Sequence, residues 1–191
     1  MVASIRTSRL DLIPMTSAFL QASLEGNLVE ASHLIGLALP DAWPDSVEVL
    51  TLRQKQLDAD PELQPWLLRA IALRDRRELI GHIGFHTAPG APYLDPWCPG
   101  GVEFGFTVFP PHRRKGYARE ASKALIHWAL EVHGVERFVL SVSPANHASQ
   151  ALAASLGFLR IGEHEDELDG VEDVLCLQGA VSPNNRMQRS G

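Results

Sequence analysis

The segment from Val108 to Ala121, with the sequence VFPPHRRKGYAREA, combines the residue types that bind a phosphate group. It reads as the end of a strand, a short cationic loop and the start of a helix. Four cations fall within seven positions, although the whole chain has a formal charge of −6. They are Arg113, Arg114, Lys115 and Arg119. Gly116 lets a ligand approach the backbone closely, and amides at a helix start lack intrahelical partners. Because the helix dipole is positive at this end, the segment predicts an anion site.

The two commonest phosphate loops do not occur in this chain. Neither Gly-x-x-x-x-Gly-Lys-Ser/Thr nor Gly-x-Gly-x-x-Gly is present, so the pattern does not indicate a nucleoside triphosphatase or a dinucleotide-binding domain. A basic, solvated helix start with glycine as a turn residue is the simpler alternative for this segment.

Length and composition favour one globular domain. The chain has 191 residues, 45% of them hydrophobic and 21% charged. It has no apolar run of about 18 residues and no secretion signal, which predicts a cytoplasmic protein without a membrane partner. The net negative charge argues against general nucleic-acid binding. Cys98 and Cys176 lack metal-ligand spacing, so both are expected to be free thiols.

Periodicity and turn residues predict the elements that position the loop. Strands are predicted over residues 9–15, 66–73, 79–87, 102–109, 137–143, 158–162 and 171–177. Helical segments are predicted over 17–35, with Ser17 as the cap, and over 45–60, 117–133 and 147–156. Because a helix joins strands 102–109 and 137–143, these two are expected to lie parallel. The domain is expected to span residues 1–179, and residues 180–191 to form a flexible tail.

Several motifs, taken together, resemble the GNAT acetyltransferase superfamily. Arg113-x-x-Gly116-x-Ala118 resembles its pyrophosphate-binding signature, Gln/Arg-x-x-Gly-x-Gly/Ala. Further similar pieces are Glu103-Phe-Gly-Phe106, Asn146-x-x-Ser149 and Leu156-Gly157-Phe158. The opening Ser8-Arg-Leu-Asp-Leu12 is similar to the RimJ/RimL-like branch, whose characterised members acetylate the N-termini of ribosomal proteins. The resemblance covers about residues 5–178.

The resemblance implies an α/β (α+β) fold and a co-substrate. The fold would be a mixed, mostly antiparallel sheet of six to seven strands, with a splayed parallel central pair and about four helices. Acetyl-CoA would lie along the strand before the loop, with its diphosphate on the helix-start amides. The implied cofactor-binding residues are Phe106, Thr107, Val108, Arg113, Arg114, Lys115, Gly116, Tyr117, Ala118, Arg119 and Asn146. Asn146 is also a preferred N-cap residue, and the two roles are compatible.

Acetyl transfer to an amine needs a neutral nucleophile, a stabilised oxyanion and a proton for the departing thiolate. Glu103 is expected on the same strand face as Gly105, where it could take the amine proton directly or through water; an ordinary ion-paired carboxylate is the alternative. A backbone amide near Thr107 or Val108 would stabilise the oxyanion. Many family members use a tyrosine as the acid, but Ala153 stands at that position, which leaves Ser149 or water. Ser149 could equally serve only in helix capping or cofactor contact.

The acceptor is the least determined feature. An α-amine, with an unperturbed pKa of about 7.7 to 8.0, needs less help from a base than a lysine amine at about 10.4. Seven acidic residues between Glu163 and Asp173 could attract a cationic acceptor, or could be a solvated hairpin tip. The leading prediction is therefore an N-acetyltransferase that acts on a protein N-terminus in a ternary complex. A small-molecule amine acetyltransferase and a non-catalytic acyl-CoA-binding module stay open.

Other reactive residue types are assigned no chemistry. His82, His86 and His112 are scattered and are expected to be strand or loop residues, so no metal site is predicted. Nothing in the sequence near Cys98 activates it as a nucleophile. The oligomeric state, monomer or homodimer, is left open.

Overall fold

The computed structural model describes residues 2–166 and 170–179, which contain eight β-strands and five α-helices. The strands are β1 (Ile5–Arg6), β2 (Leu10–Pro14), β3 (Arg69–Leu73), β4 (Glu78–Phe85), β5 (Val102–Val108), β6 (Arg137–Val142), β7 (Leu159–Asp166) and β8 (Gly170–Gln178). The helices are α1 (Ser17–Leu24), α2 (Leu28–Ile35), α3 (Val47–Ala59), α4 (Tyr117–His133) and α5 (His147–Leu156). The predicted tail, residues 180–191, lies outside the described residues.

The first of two compact units contains the chain up to Phe85 together with Phe106–Ala124. In it β1, β2, β3 and β4 pair in sequence order, and each pair is antiparallel. All five residues of β3 are buried, as expected for a strand covered on both faces. Its main hydrophobic cluster joins β2, β3 and β4 to helices α1 to α3. Members include Met15, Phe19, Leu20, Ala31, Trp43, Leu50, Leu57, Leu68, Leu79 and Phe109.

The second unit contains His86–Gly105 and the chain from Leu125 onward. Here β5 pairs with β6 in parallel, β6 with β8 antiparallel, and β8 with β7 antiparallel. Its hydrophobic cluster lies between the loop before β5 and the strands β6 and β8. The cluster consists of Leu94, Cys98, Val139, Val174 and Cys176, with Trp97 packed against it.

Strand β5 contributes residues to both units, and so does helix α4. The strand order is β1-β2-β3-β4-β5-β6-β8-β7, so the eight-stranded sheet is mostly antiparallel with one parallel pair. In the second unit the parallel ladder joins Val102 to Phe138 and Glu103 to Val139, and it does not continue to Phe104 or Gly105. The predicted parallel pair is confirmed, and its ladder is short.

Capping residues explain where the helices begin. Thr16 caps α1 by accepting a hydrogen bond from the Phe19 amide, so the cap lies one residue before the predicted Ser17. Asn27 caps α2 and Ser46 caps α3 in the same way. Helices α4 and α5 have the predicted bounds, because Gly134 and Gly157 both adopt left-handed backbone angles just beyond them.

Two sequence predictions about element counts were wrong. The segment 17–35 is two helices rather than one, because Gly26 turns the chain with φ +74° and Asn27 starts a new helix. The sheet has eight strands rather than six or seven, since the two-residue β1 is too short to show an alternating pattern. The closing hairpin was predicted correctly in kind, but β7 and β8 are longer than the predicted runs.

A close backbone approach fixes β4 against the C-terminal half of β5. The Phe109 amide donates to the Ile80 carbonyl at 2.9 Å. A Cβ atom on Gly81 would lie only 2.1 Å from the Thr107 carbonyl oxygen. Glycine is therefore required at position 81, and it allows β4 to approach the strand that leads into the cationic loop.

We expect Gly81→Ala to lower the free energy of unfolding by about 3 kcal/mol, because the added methyl group forces the two strands apart. Urea denaturation at 25 °C measures this change. The matched control is Gly26→Ala, where a Cβ would meet nothing within 4 Å and only the positive φ carries a cost, about 1 kcal/mol. Equal losses in the two variants would contradict the close-approach argument.

Candidate active site

The loop between β5 and α4 adopts left-handed backbone angles at two of its residues. Arg114 has φ +61° and Gly116 has φ +79°. A positive φ at a residue other than glycine is uncommon and marks a constrained turn. Left-handed residues of this kind turn successive amides toward a common side, which is how backbone anion sites are made. The loop therefore combines cationic residues with two left-handed backbone positions, a combination that backbone anion sites also use.

The first amides of α4 precede the hydrogen-bonded ladder of the helix. The first hydrogen bond of the helix runs from the Glu120 amide to the Gly116 carbonyl at 3.1 Å. The three amides between these residues precede the helical ladder, and their dipoles add to the positive end of a 17-residue helix. They belong to Tyr117, Ala118 and Arg119.

Two of the four cations hold the loop together. The Nε of Arg113 donates to the Val108 carbonyl at 2.8 Å, and the Nζ of Lys115 donates to the Pro111 carbonyl at 3.0 Å. Arg114 and Arg119 are exposed. Arg113 and Lys115 thus fix the shape of the turn, whereas an anion is expected to meet chiefly main-chain amides.

A carboxylate on the first turn of α4 ties the loop to the N-terminal segment. Glu120 accepts hydrogen bonds from Thr7 Oγ1 at 2.6 Å, from the Arg9 amide at 3.0 Å and from Arg9 Nε at 2.7 Å. Burial alone would raise the pKa of Glu120, but these donors and Ser8 lower it. Arg9 also donates to the Lys115 carbonyl at 3.0 Å. The segment 7–9 is therefore a brace for the loop.

Arg9 also adds positive charge beside the glycine of the turn. Its guanidinium lies 4.6 Å from the centre of the Tyr117 ring, in cation–π contact. A Cβ on Gly116 would lie 3.5 Å from Arg9 Nη2. The sequence analysis did not place this arginine at the loop.

In the second unit, Glu103 of β5 is a buried carboxylate surrounded by donors. It is 6% exposed. Ser141 Oγ donates to one carboxylate oxygen at 2.5 Å, and Tyr93 Oη donates to the other at 3.0 Å. Burial by itself would raise the pKa of Glu103, but His86, Ser141 and Tyr93 lower it to about 2. Glu103 is thus ionised throughout the neutral range.

His86 connects this carboxylate with Gly105. Its backbone amide donates to the Glu103 carbonyl at 2.9 Å, so the residue after β4 is paired with β5. Its Nδ1 lies 3.4 Å from Glu103 Oε2. Its Nε2 lies 3.1 Å from the position that a Cβ of Gly105 would occupy. The imidazole therefore borders the space that the missing side chain of Gly105 leaves.

Asn146 and Ser149 form the start of α5 in the second unit. Asn146 Oδ1 accepts a hydrogen bond from the Ser149 amide at 3.1 Å, so Asn146 is the N-cap. Ser149 is half-exposed and sits in the first turn. Ala153 is 1% exposed, which places the position that carries tyrosine in many family members against the core.

The two cysteines lie together in the core of the second unit. Their Sγ atoms are 3.1 Å apart and both residues are buried as free thiols. Burial and the neighbouring Cys176 raise the pKa of Cys98 to about 12, so it does not provide a thiolate nucleophile near neutral pH.

Among residues 2–166 and 170–179, no cluster of three or more His, Cys, Asp or Glu side chains could hold a metal ion. No helix in that part of the chain is long and apolar enough to cross a bilayer.

Comparison with known proteins assigns the chain to a family. The sequence model described as "Acetyltransferase (GNAT) domain" matches residues 31–159, which is more than half of the chain. The protein belongs to the GNAT acetyltransferase family. It is accordingly an acyltransferase with acetyl-CoA as co-substrate.

Individual relatives agree with this assignment. The uncharacterized N-acetyltransferase YjdG of Bacillus subtilis (strain 168) is 29% identical over 157 residues, which cover 81% of this chain and 89% of YjdG. The structure of ribosomal-protein-S5-alanine acetyltransferase from Vibrio fischeri has a TM-score of 0.62 at 14% identity, covering 93% of this chain and 97% of that one. The microcin C7 self-immunity acetyltransferase MccE, in complex with acetyl-CoA and AMP, has a TM-score of 0.59 at 16% identity and covers 90% of this chain and 93% of its own. At these identities the two structures show the fold of this GNAT protein.

The predicted site residues fall into two groups. Those of the loop and of β5 from Phe106 to Val108 lie in the first unit, and Glu103, Asn146 and Ser149 lie in the second. Sequence reasoning missed Arg9, His86, Tyr93 and Ser141. The alternation around β5 could have indicated Ser141, because its strand was already predicted as the parallel neighbour of β5.

The low pKa of Glu103 predicts how the unfolding free energy of this GNAT protein changes with pH. Because the pKa falls from 4.5 to about 2 on folding, the carboxylate stabilises the fold above pH 4.5, and this contribution is lost as the pH falls toward 2. At about 1.4 kcal/mol for each tenfold change in proton affinity, the loss is about 3 kcal/mol. We expect the difference in unfolding free energy between wild type and Glu103→Gln to shrink by this amount between pH 6 and pH 2, as measured by urea denaturation.

Glu62→Gln, which alters an exposed carboxylate, is the matched control for the loss of one negative charge. A Glu103→Gln curve parallel to wild type down to pH 2 would show that the hydrogen bonds to Glu103 do not stabilise its charge.

Proposed function

We propose that this GNAT protein transfers the acetyl group of acetyl-CoA to the α-amine of a protein N-terminus, by direct attack in a ternary complex. The observation that supports it most is the left-handed turn at Arg114 and Gly116, which leads directly into the positive end of the 17-residue helix α4. We also place the protein in the RimJ/RimL-like branch, on its opening Ser8-Arg-Leu-Asp-Leu12.

The diphosphate of acetyl-CoA binds to the amides from Arg114 to Arg119, at the positive end of the α4 dipole. Gly116 gives the phosphates access to the backbone, and the exposed Arg114 and Arg119 add charge. The pantetheine arm runs along Phe106, Thr107 and Val108 like an added strand, held by main-chain hydrogen bonds. Asn146 contributes a further polar contact to the cofactor in addition to its capping role.

In the reaction the neutral amine attacks the acetyl carbon. A C–N bond forms, the C–S bond breaks, the amine loses a proton and the coenzyme A thiolate gains one. The oxyanion of the tetrahedral intermediate accepts a hydrogen bond from a backbone amide near Thr107 or Val108. Glu103 takes part in removing the amine proton, and Ser149 or water supplies a proton to the thiolate.

An N-terminal amine suits this site better than a lysine amine, because more of it is neutral near pH 7. The neighbour from Vibrio fischeri is named for alanine in a ribosomal protein, and it shares the fold. The β7–β8 hairpin carries exposed carboxylates that would attract a basic peptide. Arg160 already neutralises part of this charge, since it forms ion pairs with Glu163 and Asp173.

The cofactor site predicts that Gly116→Glu abolishes coenzyme A binding. The new side chain would occupy the approach to the backbone and place a negative charge beside the diphosphate. Isothermal titration of coenzyme A into the purified protein measures this. We expect clear heat with wild type and a loss of affinity of at least 100-fold with the variant.

Gly90→Glu is the matched control. Gly90 also has a positive φ, +80°, and a Cβ there meets nothing within 4 Å, so the strain of the substitution is similar but the site is different. Binding that survives in Gly116→Glu, or that is lost equally in both variants, would refute the assignment of the diphosphate to this loop.

The acceptor proposal predicts the order of rates in a panel of amines. Thiol release from acetyl-CoA should be fastest with a peptide that begins with alanine, and slower with spermidine or an amino sugar. The same peptide with an acetylated N-terminus is the control and should give only the background rate. Faster release with either small amine would assign the protein to small-molecule acetylation. Coenzyme A binding without release from any acceptor would support a non-catalytic module.

A further inference from the structure

The Glu103 cluster presents a histidine, rather than the carboxylate, to solvent. The side chain of Glu103 is 7% exposed, whereas that of His86 is 37% exposed. Both oxygens of Glu103 already accept hydrogen bonds, from Ser141 and Tyr93. A substrate amine can therefore reach the imidazole much more readily than the carboxylate.

We propose that His86 is the general base of the acetyl transfer and that Glu103 is the positioning residue that orients its imidazole. This inference rests on the proposed function and names the group that takes the amine proton. It was not apparent from the sequence, in which His86 is one of eight scattered histidines.

The geometry of the ring assigns its tautomer. Nδ1 lies 3.4 Å from Glu103 Oε2, and an ionised carboxylate can only accept a hydrogen bond, so Nδ1 carries the hydrogen. Nε2 then carries the lone pair. This nitrogen lies 3.1 Å from the Cβ position of Gly105, beside the residue that precedes the proposed pantetheine strand. Nε2 therefore lies beside Gly105, next to the start of the strand along which the acetyl group is proposed to arrive.

The chemistry of the two groups favours this division of roles. A carboxylate whose pKa is about 2 has little tendency to accept a proton from an amine. Its fixed negative charge instead stabilises the imidazolium that forms when Nε2 is protonated. A buried carboxylate that orients a histidine and stabilises its cation has this role in other general-base sites.

The proton balance of the step is complete. As the N–C bond forms, the amine proton moves to Nε2 of His86, which becomes an imidazolium facing Glu103. As the C–S bond breaks, the thiolate takes a proton from water, directly or through Ser149, whose hydroxyl group takes up a proton from that water in turn. His86 returns its proton to solvent before the next turnover. No oxidant, metal or further co-reactant is needed.

The backbone supports the arrangement independently of the side chains. The amide of His86 is bonded to the Glu103 carbonyl, and the Gly90 amide is bonded to the Gly101 carbonyl at 3.0 Å. The segment after β4 is therefore paired with the start of β5 at two points. Tyr93, which lies in the loop between them, closes the cluster over Glu103 through its hydroxyl group.

The test compares His86→Gln with His127→Gln, using acetyl-CoA and the alanine-initiated peptide. His127 lies on α4, is 71% exposed and also faces a glutamate, Glu131, so it is a matched histidine outside the site. We expect His86→Gln to lower kcat by 100-fold or more, while KM and the affinity for coenzyme A stay within twofold of wild type. We expect His127→Gln to leave kcat, KM and the affinity for coenzyme A unchanged. Imidazole added to His86→Ala should restore part of kcat.

A second measurement determines the tautomer of His86 in the absence of catalysis. Long-range ¹H–¹⁵N spectra of the full chain should show the hydrogen of neutral His86 on Nδ1 in wild type and a mixture of tautomers in Glu103→Gln. A kcat for His86→Gln within threefold of wild type, or a hydrogen on Nε2, would overturn the proposal while leaving the acetyltransferase function intact. Absence of coenzyme A binding by wild type would instead overturn the proposed function, and this inference with it.

Discussion

The charge of a single buried carboxylate organises the second unit. Glu103 is nearly inaccessible to solvent, and a charge in such a position is stable only if donors replace the water that it loses. Those donors come from three places in the chain: the residue after β4, the loop before β5 and the strand β6. Because Tyr93 in the long, proline-rich loop before β5 is one of these donors, the hydrogen bonds that stabilise the charge of Glu103 also fix the position of that loop against two strands.

In the first unit, charged side chains stabilise a loop by hydrogen bonding to its backbone carbonyls. The loop between β5 and α4 contains two left-handed residues, and its conformation is stabilised both by its own side chains and by the N-terminal segment. Side chains of Arg113 and Lys115 bind carbonyls within the loop, while Arg9 and Glu120 connect it to the N-terminal segment. Charged side chains that would otherwise be taken as ligand contacts are in large part structural. The loop between β5 and α4 is therefore held in one conformation by its own side chains and by the N-terminal segment.

Local signals made parts of this structure predictable. The bounds of α4 and α5 followed from the glycines beyond them, and Asn146 as a cap followed from its residue type. The loop motif and the parallel pair were likewise visible, because each depends on neighbouring residues or on one crossover helix. The chain break at Gly26 was missed, since apolar residues on both sides continue the same helical spacing. The cluster around Glu103 was also missed, because Ser141 is 38 residues away and no local pattern links them.

The brace between residues 7–9 and Glu120 joins positions 111 residues apart in the chain. All the chain between Arg9 and Glu120 must therefore be in place before this brace can form. A contact of such long sequence separation carries a larger loop-closure entropy than a local one. The shape of the loop between β5 and α4 consequently depends on the long-range topology of the chain and not on local helix formation alone.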